Sequence, residues 1–322
     1  MPKVARKVSR TRRTRHTTRP QLGLVCITHS EECRFRTVTR SRYLAMPDDA
    51  ARRAALETLY WANLARLHGA ISFCRRNDIR LYRATSGLFP MSDDALGTAV
   101  LESLAANLSS IGRRVRRLGI RVVLHPDQFV VLNSESASVA ATSRLILEKH
   151  GRAFDLLKLP RSPWSAMIIH GGKSGRGDEL IRAIRDLRPS VRRRLVLEND
   201  EYAYGAAEIL DVCRRAGVPM VFDCHHHVIK EQLDSYEHPN VRRFTRAARD
   251  TWPDPSWQLV HVSNGAAGFR DRNHSEFIDA IPSAYAAVPW IEVEARGKER
   301  AIDRLRVDLA EHFAGKRLHR VT

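Results

Sequence analysis

Residues 194–223 read RLVLENDEYAYGAAEILDVCRRAGVPMVFD. A short Val/Leu run gives way to a polar turn, then to helical spacing over 205–216, a glycine at 217 and a second apolar run, VPMVFD. Strands that read as continuous apolar runs are buried on both faces, and two of them joined by a helix lie parallel with a right-handed crossover. Each run here closes on an acid, Glu198 in the first and Asp223 in the second. The stretch is one β–α–β unit carrying a carboxylate at the C-terminal end of each strand.

The same unit recurs on either side. Further strand-like runs are LGLVCI (22–27), IRLYRA (79–84), IRVVLH (120–125), SAMIIH (165–170), WQLVHV (257–262) and PWIEVE (289–294), which makes eight in all. Helical spacing is predicted between them at 50–76, 92–118, 135–158, 178–188, 240–250, 275–287 and 300–314. Helix-start chemistry at Ser92-Asp93-Asp94 and closing glycines at Gly119 and Gly217 support these boundaries. Eight alternating units predict an α/β fold of the (β/α)8 TIM-barrel type, in which every strand's C-terminal end faces one mouth. An open doubly wound sheet is the alternative, and the lack of a GxGxxG turn after the first strand counts against its dinucleotide-binding form.

Six runs end in side chains that can bind metals: His125, His170, Glu198, Asp223, His261 and Glu294. Any one could be a surface or hydrogen-bonded core residue. Six at corresponding strand ends would bury charge without compensation unless cations supply it. His226 and His227, just past Asp223, and His274, after the seventh run, extend the set. Mixed imidazole and carboxylate donors suit manganese, zinc or iron better than magnesium or calcium, and their number implies more than one ion.

The chain of 322 residues carries 54 Lys and Arg against 36 Asp and Glu, a formal charge of +18 that points to a polyanionic partner. Residues 1–20 hold eight of the basic residues and no acid, leaving about +10 for the body. This segment is expected to be a disordered arm, with phosphate gripping, a solvated tail and an organellar transit peptide as its readings in that order; 21–322 is expected to be a single domain. No apolar run reaches the roughly 20 residues of a membrane helix, so the protein is expected to be soluble and intracellular: cytoplasmic, or nuclear in a eukaryote. Five scattered cysteines without a CxxC pair predict reduced thiols.

The segments LYRATSGLFP (81–90), HPDQFVVLNS (125–134), IHGG (169–172), LENDE (197–201), FDCHHH (222–227), HVSNG (261–265) and VEARGKE (293–299), in that order, resemble the UV-damage endonuclease family over roughly residues 20–300. That family consists of three-metal barrels, related to the endonuclease IV class, that nick DNA 5′ of damage. The resemblance implies one ion on His125, His170 and a bridging Glu198, a second on Glu198, Asp223, His261 and Glu294, and a third involving His226 and His274. It implies catalytic roles for Glu198 and His227, and manganese ahead of zinc, iron, cobalt or magnesium. Gln128 and Phe129 resemble the pair that probes the duplex at a lesion, and Arg296 and Lys298 could pin a flanking phosphate. Damaged double-stranded DNA is the expected partner, including UV photolesions and abasic sites. Leu24, Thr28 and Leu259 depart from the family pattern, replacing a tyrosine, an asparagine and a lysine. A xylose-isomerase-like sugar enzyme and a catalytically silent damage-binding protein are the competing readings.

Overall fold

A computed structural model describes residues 19–126 and 129–313. Eight parallel strands close in chain order into a barrel: β1 Gln21–Val25, β2 Leu81–Ala84, β3 Arg121–Leu124, β4 Met167–His170, β5 Leu195–Glu198, β6 Met220–Asp223, β7 Leu259–Val262 and β8 Trp290–Val293. Seven lie inside the predicted runs, and β1 starts one residue ahead of its run, at Gln21. The helices described are α1 Arg40–Leu44, α2 Asp49–Arg76, α3 Ala95–Ser103, α4 Ala105–Arg117, α5 Ala137–Leu156, α6 Gly177–Asp186, α7 Pro189–Arg192, α8 Ala206–Ala216, α9 Cys224–Lys230, α10 Pro239–Arg249 and α11 Lys298–Phe313. No described helix is long and apolar enough to cross a membrane. The five cysteines are free thiols. Most of the predicted N-terminal arm, 1–18, lies outside the described residues.

Two apolar layers are separated by the wall of the barrel. Leu24, Tyr82, Val122, Ile169, Leu197, Phe222 and Val262 belong to the large cluster beneath the helices, whereas Leu81, Val123, Ile168, Val196, Val221 and Leu259 fill the barrel itself. The period-two alternation of strands produces this split, and it also fixes which polar residues point inward. On β3, Arg121 and Val123 precede His125 on the inward side. The Arg121 guanidinium is wholly buried at the floor, donating to the carbonyls of Trp164, Trp257 and Pro163 under the rings of Trp164, Trp252 and Trp290. Polar floor, apolar middle and polar mouth are successive layers of the same interior. Gly23 faces this interior, where a Cβ would lie 2.6 Å from the Leu81 side chain.

Two predicted helices differ. The 92–118 stretch breaks at Leu104 into α3 and α4. The 275–287 stretch is not a helix: only a short 3-10 turn, Ser283–Ala287, forms there, after Pro282. The Asn264 side chain accepts from the amides of Asp279 and Ala280 and donates to the carbonyl of Ala280, so these groups are satisfied without a helical ladder.

Candidate metal centre

Glu198, at the end of β5, is the hub. It is 1% exposed, and its two carboxylate oxygens face different partners. Oε2 lies 3.1 Å from His125 Nε2 and 3.9 Å from His170 Nε2; Oε1 lies 2.8 Å from His261 Nδ1 and 3.6 Å from His226 Nδ1. The strand register explains the convergence, since His170 pairs with Glu198 across β4–β5 and Asp223 with His261 across β6–β7.

Three sets of side chains each bring ligand atoms within 4.8 Å of one another: His125, His170 and Glu198; Glu198, Asp223 and His226; and Asp223, His261 and Glu294. The donors fit divalent ions in detail. Asp223 Oδ1 caps α9 by accepting from the amides of His225 and His226, while Oδ2 is buried with no hydrogen-bond partner among the described residues. An orphaned buried carboxylate oxygen is costly, and a cation removes that cost. His125 donates through Nδ1 to the Pro126 carbonyl at 2.9 Å, which turns Nε2 toward Glu198. His226 donates through Nδ1 to the Asn199 carbonyl at 3.0 Å, and its Nε2 lies 3.6 Å from Glu201. His274 is in none of the three sets; its Nε2 lies 3.8 Å from Glu294.

His227 is not at the centre. Successive helical residues diverge by about 100°, so when His226 faces the mouth, His227 faces α10. Its ring packs edge-on to Phe222 and Phe244 at centroid distances of 5.4 and 5.0 Å, and neither ring nitrogen has a hydrogen-bond partner among the described residues. Burial, with lesser repulsion from His238 and Arg243, pushes its pKa down to about 4. The residue expected to act in catalysis is a neutral core imidazole. His225, on α9 too, ties Tyr236 to the Asp271 carbonyl.

Phe129 stands 70% exposed on the loop after β3, while its expected companion Gln128 lies outside the described residues. Arg296 and Lys298 follow β8 at the same mouth, and neither has an acidic partner among the described residues. Leu24 packs outward beneath the helices, Leu259 sits in the barrel one inward step below His261, and Thr28 is held by Ser30 at 2.8 Å. None of the three departures supplies a polar group to the cluster.

Glu292 and Arg83 belong to the centre although the sequence reading did not single them out. Glu292 is fully buried beside His261 Nε2, its partner in the β7–β8 register. Arg83, from β2, lies 3.6 Å from Glu292 and is bonded to Glu294. Glu292 is two residues before Glu294, so the period of a strand puts both on the inward face.

The charges are strongly coupled. Burial opposes ionisation of Glu198, but His261 and His170 outweigh it and hold the carboxyl well below the usual range. Burial likewise opposes ionisation of Glu294, and Arg83 and His261 outweigh that. For His261, burial favours the neutral ring, yet Glu198, Glu292 and Glu294 raise its pKa well above normal. His226 behaves alike, with burial overcome by Asp223, Glu198 and Glu201, and reaches about 9. A raised imidazole pKa stabilises the fold fully below the unfolded value of about 6.5 and loses that contribution as pH climbs to the folded value. Chelator-treated protein should therefore lose thermal stability from about pH 6.5 to 9. His226→Gln should flatten that decline in melting experiments, and an unchanged slope in the variant would refute the assignment.

A closed (β/α)8 barrel with buried carboxylates and imidazoles shared among three ligand sets at its C-terminal mouth defines a metal-competent TIM barrel. The model of the family UV-endonuclease UvdE matches residues 20–320, and the chain belongs to that family. A UV DNA damage endonuclease from Nostoc sp. is 53% identical over 298 residues, covering 92% of each chain. One from Deinococcus radiodurans is 52% identical over 291 residues, covering 89% of this chain and 95% of the relative. The crystal structure of SacUVDE superposes with a TM-score of 0.75 at 23% identity, covering 92% of this chain and 100% of that one. Endonuclease IV from Thermus thermophilus gives 0.56 at 15% identity, covering 90% of this chain and 98% of that one, and shares the fold.

Proposed function

We propose that the protein is a metal-dependent endonuclease that nicks UV-damaged DNA on the 5′ side of the lesion, abasic sites included, leaving 3′-hydroxyl and 5′-phosphate ends. The observation that carries this reading is the sharing of Glu198 and Asp223 among three ligand sets at one mouth. The 53% identical Nostoc relative, a UV DNA damage endonuclease, supports the substrate class.

His125, His170 and Glu198 would hold one ion, Asp223, His261 and Glu294 another, and His226 with Glu198 and Asp223 a third; manganese suits this donor set best. Bound divalent ions neutralise phosphate charge and make water acidic enough to serve as a nucleophile near neutral pH. Glu198 spaces the sets by presenting one oxygen to each side. Arg83 keeps Glu294 ionised and aimed. Phe129, exposed at the rim, would wedge into a duplex, where damaged steps cost least to unstack. Arg296 and Lys298 offer charge to a flanking phosphate, a salt-dependent contribution.

The test is UV-irradiated supercoiled plasmid incubated with protein and manganese. Relaxation to nicked circles should require both irradiation and metal, and EDTA should abolish it. Nicking that persists in EDTA, or equals that of unirradiated plasmid, would overturn the proposal.

A further inference from the structure

A second aromatic stands at the mouth, on a loop remote in sequence from Phe129. Tyr202, four residues past the hub Glu198, is 64% exposed. It is held by its own loop, by α9 and by the loop after β7. Asp200 Oδ1 accepts from the Tyr202 amide at 2.7 Å and from that of Ala203. Lys230, at the end of α9, donates through Nζ to the Tyr202 carbonyl at 2.8 Å. Arg272, on the loop after β7, lays its guanidinium over the Tyr202 ring, 4.3 Å from the centroid. The Arg272 loop is itself moored by Arg270, which donates to the carbonyls of Leu233 and Gln232 at 3.0 Å. Arg272 is exposed and has no acidic partner among the described residues.

In an eight-stranded barrel closed in chain order, β3 and β7 are diametrically opposed. The Phe129 loop follows β3 and the Arg272 loop follows β7, so the two flank the ligand cluster from opposite sides. Tyr202 adjoins the cluster through Glu201, which contacts His226. An exposed aromatic whose backbone is held by hydrogen bonds on both sides loses little freedom on binding, and a guanidinium stacked on it can still donate its edge N–H groups to phosphate. Exposed phenol and indole rings beside basic side chains are how proteins hold nucleotides without reading sequence.

We propose that Tyr202 and Arg272 form a nucleotide-binding subsite across the mouth from Phe129, in which the phenol stacks on a DNA base and the guanidinium engages the adjoining phosphate. This rests on the endonuclease reading. The subsite positions the strand and does not touch the reacting atoms, so its loss raises KM and Kd and leaves kcat and metal content unchanged.

The experiment measures binding of a fluorescent duplex carrying a single cyclobutane pyrimidine dimer, with calcium in place of manganese, across a salt series. Wild-type protein is compared with Tyr202→Ala, Tyr202→Phe, Arg272→Ala and Phe129→Ala, and melting temperature and bound metal are recorded for each. Tyr202→Ala should weaken Kd about tenfold, with Tyr202→Phe close to wild type. Arg272→Ala should also lower the slope of log Kd against log salt by about one. Wild-type affinity and slope in both alanine variants, with Phe129→Ala weakened, would overturn the subsite alone. Failure of the wild-type protein to prefer the lesion duplex over an intact one would overturn the endonuclease reading and the subsite with it.

Discussion

Glu198→Gln should lower nicking of UV-irradiated plasmid on the order of 10³-fold or more, equivalent to about 4 kcal/mol of lost transition-state stabilisation. The substitution preserves volume and one oxygen, so the fold around β5 has no steric reason to change. What disappears is a negative charge facing four imidazoles at once: His125 and His170 from one oxygen, His261 and His226 from the other. One oxygen becomes an NH2 group, which cannot ligate and meets imidazole nitrogens as a competing donor. Two of the three ligand sets contain Glu198, so the variant should also bind fewer manganese ions by elemental analysis after dialysis. Nicking at wild-type rate by the variant would mean that the cluster is not the site of hydrolysis. Full metal content without nicking would confine the role of Glu198 to the chemical step.

The sequence made the strand ends legible because burial and chemistry coincide there: an apolar run that stops at His170, Glu198 or Asp223 announces both a strand and a mouth. It was less informative where neighbours in the chain separate in space. His226 and His227 look equivalent as letters, yet α9 points one at Glu198 and packs the other against Phe244. The 275–287 stretch has helical spacing, but the Asn264 side chain claims two of its amides, a tertiary hydrogen bond with no local signature. Tyr202 and Arg272 are separated by 70 positions and meet only once the barrel closes. Glu292 is different, for its signal was present. Two acids spaced by one residue on a strand share a face, so Glu292 points inward with Glu294 although it does not end the run.

Glu292 stands directly behind the imidazole of His261. His261 Nδ1 is turned toward Glu198 and Glu294, the ligand side, while Nε2 abuts Glu292. A carboxylate behind a ligating imidazole fixes the ring's orientation and raises its basicity, and removing such a partner typically costs about 10–100-fold in metal affinity. Glu292→Gln should show a loss of that size in manganese binding, measured by competition with a chelator, and a matching fall in nicking at limiting metal that excess manganese restores. Glu292 also offsets Arg83, so the glutamine leaves a buried guanidinium with Glu294 as its remaining acidic partner among the described residues. Arg83 would then compete harder for Glu294, weakening the same ligand set from a second direction. The double variant Arg83→Met, Glu292→Gln separates the two effects. If competition for Glu294 dominates, removing the arginine should recover affinity relative to Glu292→Gln alone; if the His261 contact dominates, the double variant should bind no better. Unaltered manganese affinity in Glu292→Gln would refute both routes and leave Glu292 as a buried counter-ion to Arg83.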